Sequence, residues 1–478
     1  MCRLPGRGGL RDAPGGDFRP RPGGRRGRRG RPDRGHRILT IEIVQSPTVQ
    51  NASSGVTMSI PGPADIIRHE FPNGIVLLTR ENFTNPTVVV SGYLEVGSCN
   101  ETPQQAGLAS FTASALTRGT VHRTFDQIYE EVESVGASIG VSAGVYHTGF
   151  GIKCLAEDLP RILDVLADVL RHPTFPSQEV DKLRGEIITD LEERAHDTRR
   201  MASLTFRELA YPPDHPYSRS VDGYIETVSP LTAEDLARFY RAHYTPRGMV
   251  IAVVGAVEAA RAREMVERAF GDWDGPAPRR PPSPPVPPPE EVRQKFVPIP
   301  GKTQTDIVLG YPGPARTDPA FLDALLCNTI LGVFGMMGRL GDKIRDEQGL
   351  AYYSYSRIEG GRGPGPWTVI AGVNPTNVER ALESIRAEIR RICQEPVPPE
   401  ELADSQSFLV GSLPLRLETN EGVAAAILEM EQYGLGLDYL QRYGDLIRAI
   451  TPERVLAAAQ RWLNPDAYVL ALAGPPEP

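Results

Sequence analysis

Two stretches that follow one pattern decide the fold of this chain. Residues 231–255 read Leu-Thr-Ala-Glu-Asp-Leu-Ala-Arg-Phe-Tyr-Arg-Ala-His-Tyr-Thr-Pro-Arg-Gly-Met-Val-Ile-Ala-Val-Val-Gly, and residues 450–474 read Ile-Thr-Pro-Glu-Arg-Val-Leu-Ala-Ala-Ala-Gln-Arg-Trp-Leu-Asn-Pro-Asp-Ala-Tyr-Val-Leu-Ala-Leu-Ala-Gly. In each, a threonine caps a helical pattern, a proline stops it, and an apolar strand then ends at a glycine. These residues are Thr232, Pro246 and Gly255 in the first stretch, and Thr451, Pro465 and Gly474 in the second, with 23 residues from threonine to glycine in both. We therefore predict two halves with the same fold.

A proline-rich segment separates the two halves. Residues 275–289 contain nine prolines in fifteen positions, a composition that favours extended polyproline II and a semi-rigid spacer. The boundaries that we predict are a disordered Arg/Gly/Pro-rich tail and leader at 1–58, a first half at 59–274, the linker at 275–289 and a second half at 290–478.

The residue pattern of each half predicts helices packed on a mostly antiparallel sheet, which is an α+β fold. Residues 74–97 alternate in polarity as a hairpin pair of strands. Thr124 and Gln127 form a capping box for a helix that Gly136 closes. Asp318 followed by proline predicts the start of a further helix in the second half.

Charge is divided unequally along the chain. Residues 1–37 hold 12 Arg and 3 Asp, a net charge of +9, so the rest of the chain carries −17 of the total of −8. A body this acidic argues against nucleic-acid binding. The first 37 residues have almost nothing to bury, which predicts disorder. An Arg/Gly-rich tail is also compatible with RNA binding. We favour instead the interpretation that these residues come from a spurious upstream translation start and that the true start lies nearer Met58.

The cysteines and histidines exclude several classes of protein. Five scattered cysteines without a C-x-x-C pair argue against a zinc ribbon and a disulfide scaffold, and indicate a reducing compartment, so we expect a cytoplasmic protein. No two of the eight histidines are four residues apart, so no helical His pair for zinc is expected. No apolar run approaches the roughly 20 residues of a membrane span, and no secretory signal is recognisable.

Residues 107–120 resemble a known motif in which the functional side chains have been replaced. They read Gly-Leu-Ala-Ser-Phe-Thr-Ala-Ser-Ala-Leu-Thr-Arg-Gly-Thr, which resembles the zinc-binding helix of the pitrilysin/insulinase family of metallopeptidases, G-x-A-H-F-x-E-H-x-x-F-x-G-T. The two histidine ligands are replaced by Ser110 and Ser114, and the general base by Ala113. A hydroxyl is a poor zinc ligand beside imidazole, and a methyl group cannot accept a proton.

The resemblance extends over roughly residues 66–475 and implies two homologous halves that close like a clamshell around a peptide. On a later helix it places the third zinc ligand of the family at Glu193 and an acidic partner at Glu186; the alternative is a charged, solvated helix face. A nucleophilic role for the two serines needs a base within hydrogen-bond reach and an oxyanion hole. The sequence has no G-x-S-x-G elbow, and a run of Ala, Ser and Thr on a buried helix favours close packing instead.

The second half keeps an intact signal of the same family. Residues 337–356 read Met-Gly-Arg-Leu-Gly-Asp-Lys-Ile-Arg-Asp-Glu-Gln-Gly-Leu-Ala-Tyr-Tyr-Ser-Tyr-Ser and resemble the family's L-x-x-x-I-R-x-x-x-G-L-A-Y segment. The resemblance assigns Arg345 and Tyr352 to holding the substrate carbonyl, a role that a guanidinium and a phenol suit as fixed donors. The alternative is a surface arginine paired with Glu347 and a tyrosine in the core.

A lost zinc site beside a kept Arg/Tyr pair predicts the non-metal-binding subunit of a heterodimeric zinc metallopeptidase. The partner would be a homologous subunit that carries H-x-x-E-H and the zinc, while this chain binds no cofactor and is inactive alone. Two alternatives remain open: a non-proteolytic scaffold or peptide-binding protein of the same fold, and an independent hydrolase that uses an unrecognised site.

Overall fold

The computed structural model describes residues 59–333 and 338–476, so the predicted tail at 1–58 lies outside the described residues. The helices are α1 Leu108–Ala115, α2 Phe125–Glu133, α3 Leu159–Arg171, α4 Ser177–Ala195, α5 Thr198–Ala210, α6 Ile225–Val228, α7 Ala233–His243, α8 Ala259–Phe270, α9 Phe321–Gly332, α10 Val378–Gln394, α11 Pro399–Arg416, α12 Asn420–Gln432, α13 Tyr439–Arg448 and α14 Pro452–Trp462. The strands are β1 Ile67–Glu70, β2 Val76–Glu81, β3 Thr87–Leu94, β4 Ser138–Ala143, β5 Thr148–Leu155, β6 Val250–Gly255, β7 Arg293–Pro298, β8 Thr305–Pro312, β9 Ala351–Ile358, β10 Pro366–Val373 and β11 Val469–Gly474.

The two halves share one strand topology. The first sheet has the order β1-β2-β6-β3-β5-β4 and the second has the order β7-β11-β8-β10-β9. If β1 is set aside, each strand of the first sheet occupies the same place as one strand of the second sheet. The corresponding pairs are β2 and β7, β3 and β8, β4 and β9, β5 and β10, and β6 and β11. In both sheets the first and last of the five common strands of the half pair in parallel, β2 with β6 and β7 with β11, and the other pairs are antiparallel. The predicted α+β fold of two homologous halves is confirmed.

Side-chain caps begin the helices that the sequence marks. The Oγ1 of Thr232 accepts a hydrogen bond from the backbone N–H of Asp235 at 3.2 Å, and the Oγ1 of Thr451 accepts one from Arg454 at 3.4 Å. The capping box of Thr124 is present, and Gly136 has a φ of +63° after α2. Helix α9 begins at Phe321, later than the sequence predicts, because the carboxylate of Asp318 accepts from the N–H of Ala320 and makes a turn first.

The hairpin predicted at 74–97 is wrong. Strands β2 and β3 both form, but β6 lies between them and pairs with each. All six residues of β6 are buried. A fully apolar strand gains most in the middle of a sheet, where both of its faces are covered, and pairing of distant segments therefore overrides the local hairpin.

Each sheet is covered on one face by a helix of the other half. Helix α5 of the first half packs on β8 and β11, and α12 of the second half packs on β3 and β6. Phe206 of α5 shares a buried cluster with Val308 and Ala471 of the second sheet. Ile427 of α12 shares one with Val89 of the first sheet. This exchange of helices holds together the two halves of the expected clamshell.

The proline-rich segment at 275–289 forms neither helix nor strand and crosses from the first half to the second. Its backbone is bonded to the first half at several points. The Oγ1 of Thr245 donates to the carbonyl of Pro276 at 2.6 Å, and the amide of Asn100 donates to the carbonyl of Arg279 at 3.0 Å. The segment is therefore fixed to the first half by hydrogen bonds.

Candidate functional site

Helix α1 carries the degenerate motif and is held by a buried carboxylate. Glu101 is 7% exposed, and its two oxygens accept the backbone N–H groups of Gly107 at 3.0 Å and of Ala109 at 2.8 Å. These bonds satisfy donors that a helix N-terminus leaves without a partner. Gly107 precedes the helix with a φ of +98°, a conformation that favours glycine. The frame of the motif is therefore intact in its backbone.

The side chains of α1 do not form a metal site. The hydroxyl of Ser110 donates to the carboxylate of Asp222 at 3.1 Å. Ala113, which stands at the position of the general base, is fully buried, and Ser114 is half-buried. A hydroxyl, a methyl group and a second hydroxyl do not fit zinc, so these three side chains cannot support a metal-dependent catalytic step.

The two glutamates that the resemblance singled out lie on α4, which packs against α1. Glu186 accepts from the guanidinium of Arg118, with contacts of 3.2 and 2.5 Å, and 57% of its side chain is exposed. Glu193 is exposed. The structure thus brings the helices of the motif together. It also gives Glu186 an arginine partner from the turn that follows α1.

Arg345 and Tyr352 flank a tight connection in the second half. Arg345 lies in a π-helical segment, Gly341–Glu347, and a hydrogen bond from Gly349 N–H to its carbonyl, 3.0 Å long, closes that segment. Gly349 has a φ of +61°. Single π-helical turns recur at functional sites. The Arg345 side chain is 37% exposed, with Asp346 at 3.8 Å.

Tyr352 is the most exposed large hydrophobic residue within the described part of the chain, at 84%. It is the second residue of β9, which lies at the edge of the second sheet. Tyr353 pairs with Gly372 and Ala351 with Val373, so Tyr352 has no partner in the ladder and forms a β-bulge. Bulges next to functional sites redirect a side chain. The carboxylate of Glu347 accepts from Lys343 at 2.8 and 2.7 Å, and Tyr352 is exposed rather than in the core.

Two family models match this chain. Residues 76–211 match the model of insulinase, peptidase family M16, and residues 230–409 match the model of the M16 peptidase inactive domain. The chain belongs to the M16 peptidase family. The matched ranges contain both the degenerate helix and the Arg345/Tyr352 segment.

The relatives of this M16 chain match either most of its length or less than half of it. A protein of Streptomyces coelicolor named as an uncharacterised zinc protease is 29% identical over 411 residues, 84% of this chain and 87% of that one. The probable mitochondrial-processing peptidase subunit beta of Arabidopsis thaliana is 30% identical over 199 residues, 42% of this chain and 37% of that one. A solved M16 inactive domain from Pseudomonas fluorescens matches with a TM-score of 0.79 and 25% identity, over 86% of this chain and 98% of that one.

A cluster that the sequence did not reveal joins the two halves of the M16 fold. Glu95, 8% exposed in its side chain, is bonded by Arg362 of the second half and lies 3.2 Å from Arg280 of the linker and 3.5 Å from His147. The amide of Gln432, at the end of α12, lies 3.1 Å from the other ring nitrogen of His147. Nothing in the sequence links residues so far apart.

The side chains around Glu95 favour the charged form of its carboxyl group. Burial raises the pKa of Glu95, but the hydrogen bonds from His147 and Arg362 outweigh burial and lower the pKa to about 2. A cavity of about 500 Å³ lies beside the cluster, with Glu95, Arg280 and Arg362 in its wall. The cluster therefore fastens the first sheet, the linker and the second half to one another.

Proposed function

We propose that this chain is the subunit of a heterodimeric zinc metallopeptidase that does not bind the catalytic zinc. In this proposal a homologous subunit with H-x-x-E-H supplies the zinc and the general base. This chain supplies donors to the substrate carbonyl. The observation that carries the proposal is the contrast between α1, whose chemistry is lost, and Tyr352, which stands exposed on a bulge close to Arg345 in sequence.

The proposed chemistry follows from the two side chains. A peptide carbonyl becomes negatively charged as it is attacked, and a preorganised phenol and guanidinium stabilise that charge. A guanidinium keeps its positive charge at any physiological pH. Tyr352 and Arg345 are held by short elements that flank Gly349, so the donors are presented from a defined backbone.

The edge strands suit binding of an extended peptide. Strand β9, which carries Tyr352, and β4, which contacts α1, are edge strands at corresponding positions of the two sheets. An extended substrate binds such an edge as an added strand. A peptide added to β9 would run directly beside the phenol of Tyr352, which supports a role of this chain in substrate binding.

The thiols of the chain support a cytoplasmic location, which is part of the proposal. Four cysteines are free within the described residues, namely Cys99, Cys154, Cys327 and Cys393. Free thiols persist in reducing compartments. Within the described residues, no helix combines the length and apolar character needed to span a membrane.

The test is reconstitution of the chain with an H-x-x-E-H homologue encoded in the same genome. We expect Arg345→Ala and Tyr352→Phe each to lower kcat of the pair by about 10²–10³, as loss of one oxyanion donor does. Assembly and the zinc content of the partner should be unchanged. Matched controls are Arg238→Ala, an exposed arginine on α7, and Tyr129→Phe, a half-buried tyrosine on α2, and both should keep full activity.

Two outcomes would contradict the proposal. If both variants kept full kcat in the complex, the role in trans would be wrong, and the alternative of a non-proteolytic scaffold or peptide-binding protein would replace it. If no H-x-x-E-H homologue bound the chain, the heterodimer itself would be excluded.

A further inference from the structure

Two histidines distant in sequence meet at a buried carboxylate on the outer side of the first half. His122 lies in the turn between α1 and α2, whereas Asp168 and His172 stand one turn apart at the C-terminal end of α3. The Nε2 of His122 is 4.0 Å from the Oδ1 of Asp168, and the Nδ1 of His172 is 3.3 Å from the same oxygen. One possible ligand atom from each of the three residues lies within 4.8 Å of the other two.

Asp168 has one oxygen fully used and one without a partner. The residue is 5% exposed. Its Oδ2 accepts from Thr120 at 2.6 Å and from Arg123 at 2.9 Å. Its Oδ1 and the Nδ1 of His172 are both buried and make no hydrogen bond within the described residues, although they are close. Buried polar atoms are normally satisfied, so this pair of unpartnered atoms points to a ligand.

The arrangement fits a divalent cation of the zinc class. Zinc takes imidazole nitrogen and carboxylate oxygen at about 2.0–2.2 Å, which puts neighbouring tetrahedral ligand atoms roughly 3.3–3.5 Å apart. The separation of 3.3 Å between Asp168 and His172 has this value, and the 4.0 Å contact of His122 needs only a small rotation of a side chain that is 61% exposed.

The electrostatic setting is also suitable for a cation. His172 directly follows α3 as its C-cap residue, and the C-terminus of a helix carries partial negative charge. The positive charge of Arg123 is matched by Glu131 and Asp164, at 3.1 and 2.8 Å, in addition to Asp168. The exposed His122 leaves an open side through which an ion can enter and a water can complete the coordination.

We propose that His122, Asp168 and His172 bind one zinc-class cation, which ties the turn after α1 to the end of α3. This site is separate from the positions of the lost catalytic zinc, which lie on α1 and α4, and it contains no general base from the motif. Its role is structural, because the ion would add a link between two elements that already meet through Thr120, Val121 and Arg123. The inference does not depend on a partner subunit, so it stands or fails independently of the proposed peptidase role.

The experiment is a Co²⁺ and Zn²⁺ titration of the full-length chain after treatment with a chelator. We expect one equivalent of Co²⁺ to give the visible absorption of a four-coordinate site, and Zn²⁺ to displace it. His122→Ala and His172→Ala should each weaken Zn²⁺ binding at least about 10-fold, since loss of even a supporting residue commonly costs 10–100-fold. Circular dichroism verifies that the variants are folded.

His196→Ala is the matched control, because it removes an exposed histidine at the end of α4 and should leave affinity unchanged. Zn²⁺ should also raise the melting temperature of the wild-type chain but not that of the folded double variant, His122→Ala with His172→Ala. If the double variant bound Zn²⁺ as tightly as the wild type, or if the wild type gave no Co²⁺ band at millimolar metal, the site would be refuted.

Discussion

Replacing Glu95 tests whether the charged cluster between the halves stabilises the fold. Glu95→Gln keeps the size of the side chain but removes the charge that faces Arg362 and Arg280. The folded state holds the pKa of Glu95 at about 2, down from 4.5. At about 1.4 kcal/mol for each pH unit, this difference corresponds to about 3 kcal/mol of stability at neutral pH.

The sign of the pH dependence follows from the lowered pKa. A carboxyl whose pKa is lower when folded stabilises the protein above its unfolded pKa, and this contribution is lost as pH falls through the folded pKa. The stabilisation by Glu95 should therefore be complete above about pH 4.5 and should disappear as the pH approaches 2. Since the side chain is only 8% exposed, solvent screens this interaction little.

The assay is urea unfolding of the wild type and of Glu95→Gln at several pH values from 7 to 2.5. We expect Glu95→Gln to be about 3 kcal/mol less stable at pH 7, and the difference from the wild type to shrink in acid. Glu234→Gln is the matched control. Glu234 is 69% exposed and paired with Arg241, and such a pair contributes only about 0–1 kcal/mol. A difference between wild type and Glu95→Gln that is small, or that is constant from pH 7 to 2.5, would refute the reasoning.

Three further predictions address the backbone, the core and the activity of the chain alone. In urea unfolding, Gly255→Ala should destabilise the fold by more than about 1 kcal/mol, because φ is +142° and the new Cβ would lie 2.2 Å from the carbonyl oxygen of Thr87. Gly140→Ala is the control, since its new Cβ would meet open space and the variant should be nearly as stable as the wild type. Trp367→Ala should cost about 3–5 kcal/mol in urea unfolding, since the side chain is 1% exposed; a loss below 1 kcal/mol would contradict its place in the core. The chain alone should cleave no fluorogenic peptide with or without added zinc, because Ala113 offers no base, and chelator-sensitive cleavage by the pure chain would exclude an inactive motif.

Local signals in the sequence predicted much of the fold correctly. Thr232 and Thr451 were recognisable as caps because a short polar side chain before a helical pattern satisfies the first backbone N–H groups wherever the helix packs. The equal spacing from these threonines to the glycines that end β6 and β11 revealed the repeat. The resemblance to the M16 family was readable for the same reason, since residues 107–120 and 337–356 are each one short stretch of chain, whereas the roles assigned to Arg345 and Tyr352 stay predictions.

Tertiary structure decided what depends on residues distant in sequence. The hairpin at 74–97 failed because an apolar strand from 250–255 gained more by entering the sheet than the neighbouring strands gained by pairing. The exposure of Tyr352 depends on a bulge in its pairing with β10, which alternation of polar and apolar residues cannot show.

The histidines show the same division. From their spacing in the sequence, no pair is four residues apart, and no helical zinc pair was expected. The fold nevertheless brings His122 to His172 across 50 positions, because the turn after α1 pairs with the segment after α3 through Thr120 and Pro173. The sequence by itself determined the repeat, the caps and the residues at the motif positions of α1, all of which are local. The contacts between distant residues, among them the Glu95 cluster and the proposed cation site, were decided only when packing of the apolar faces set which segments became neighbours.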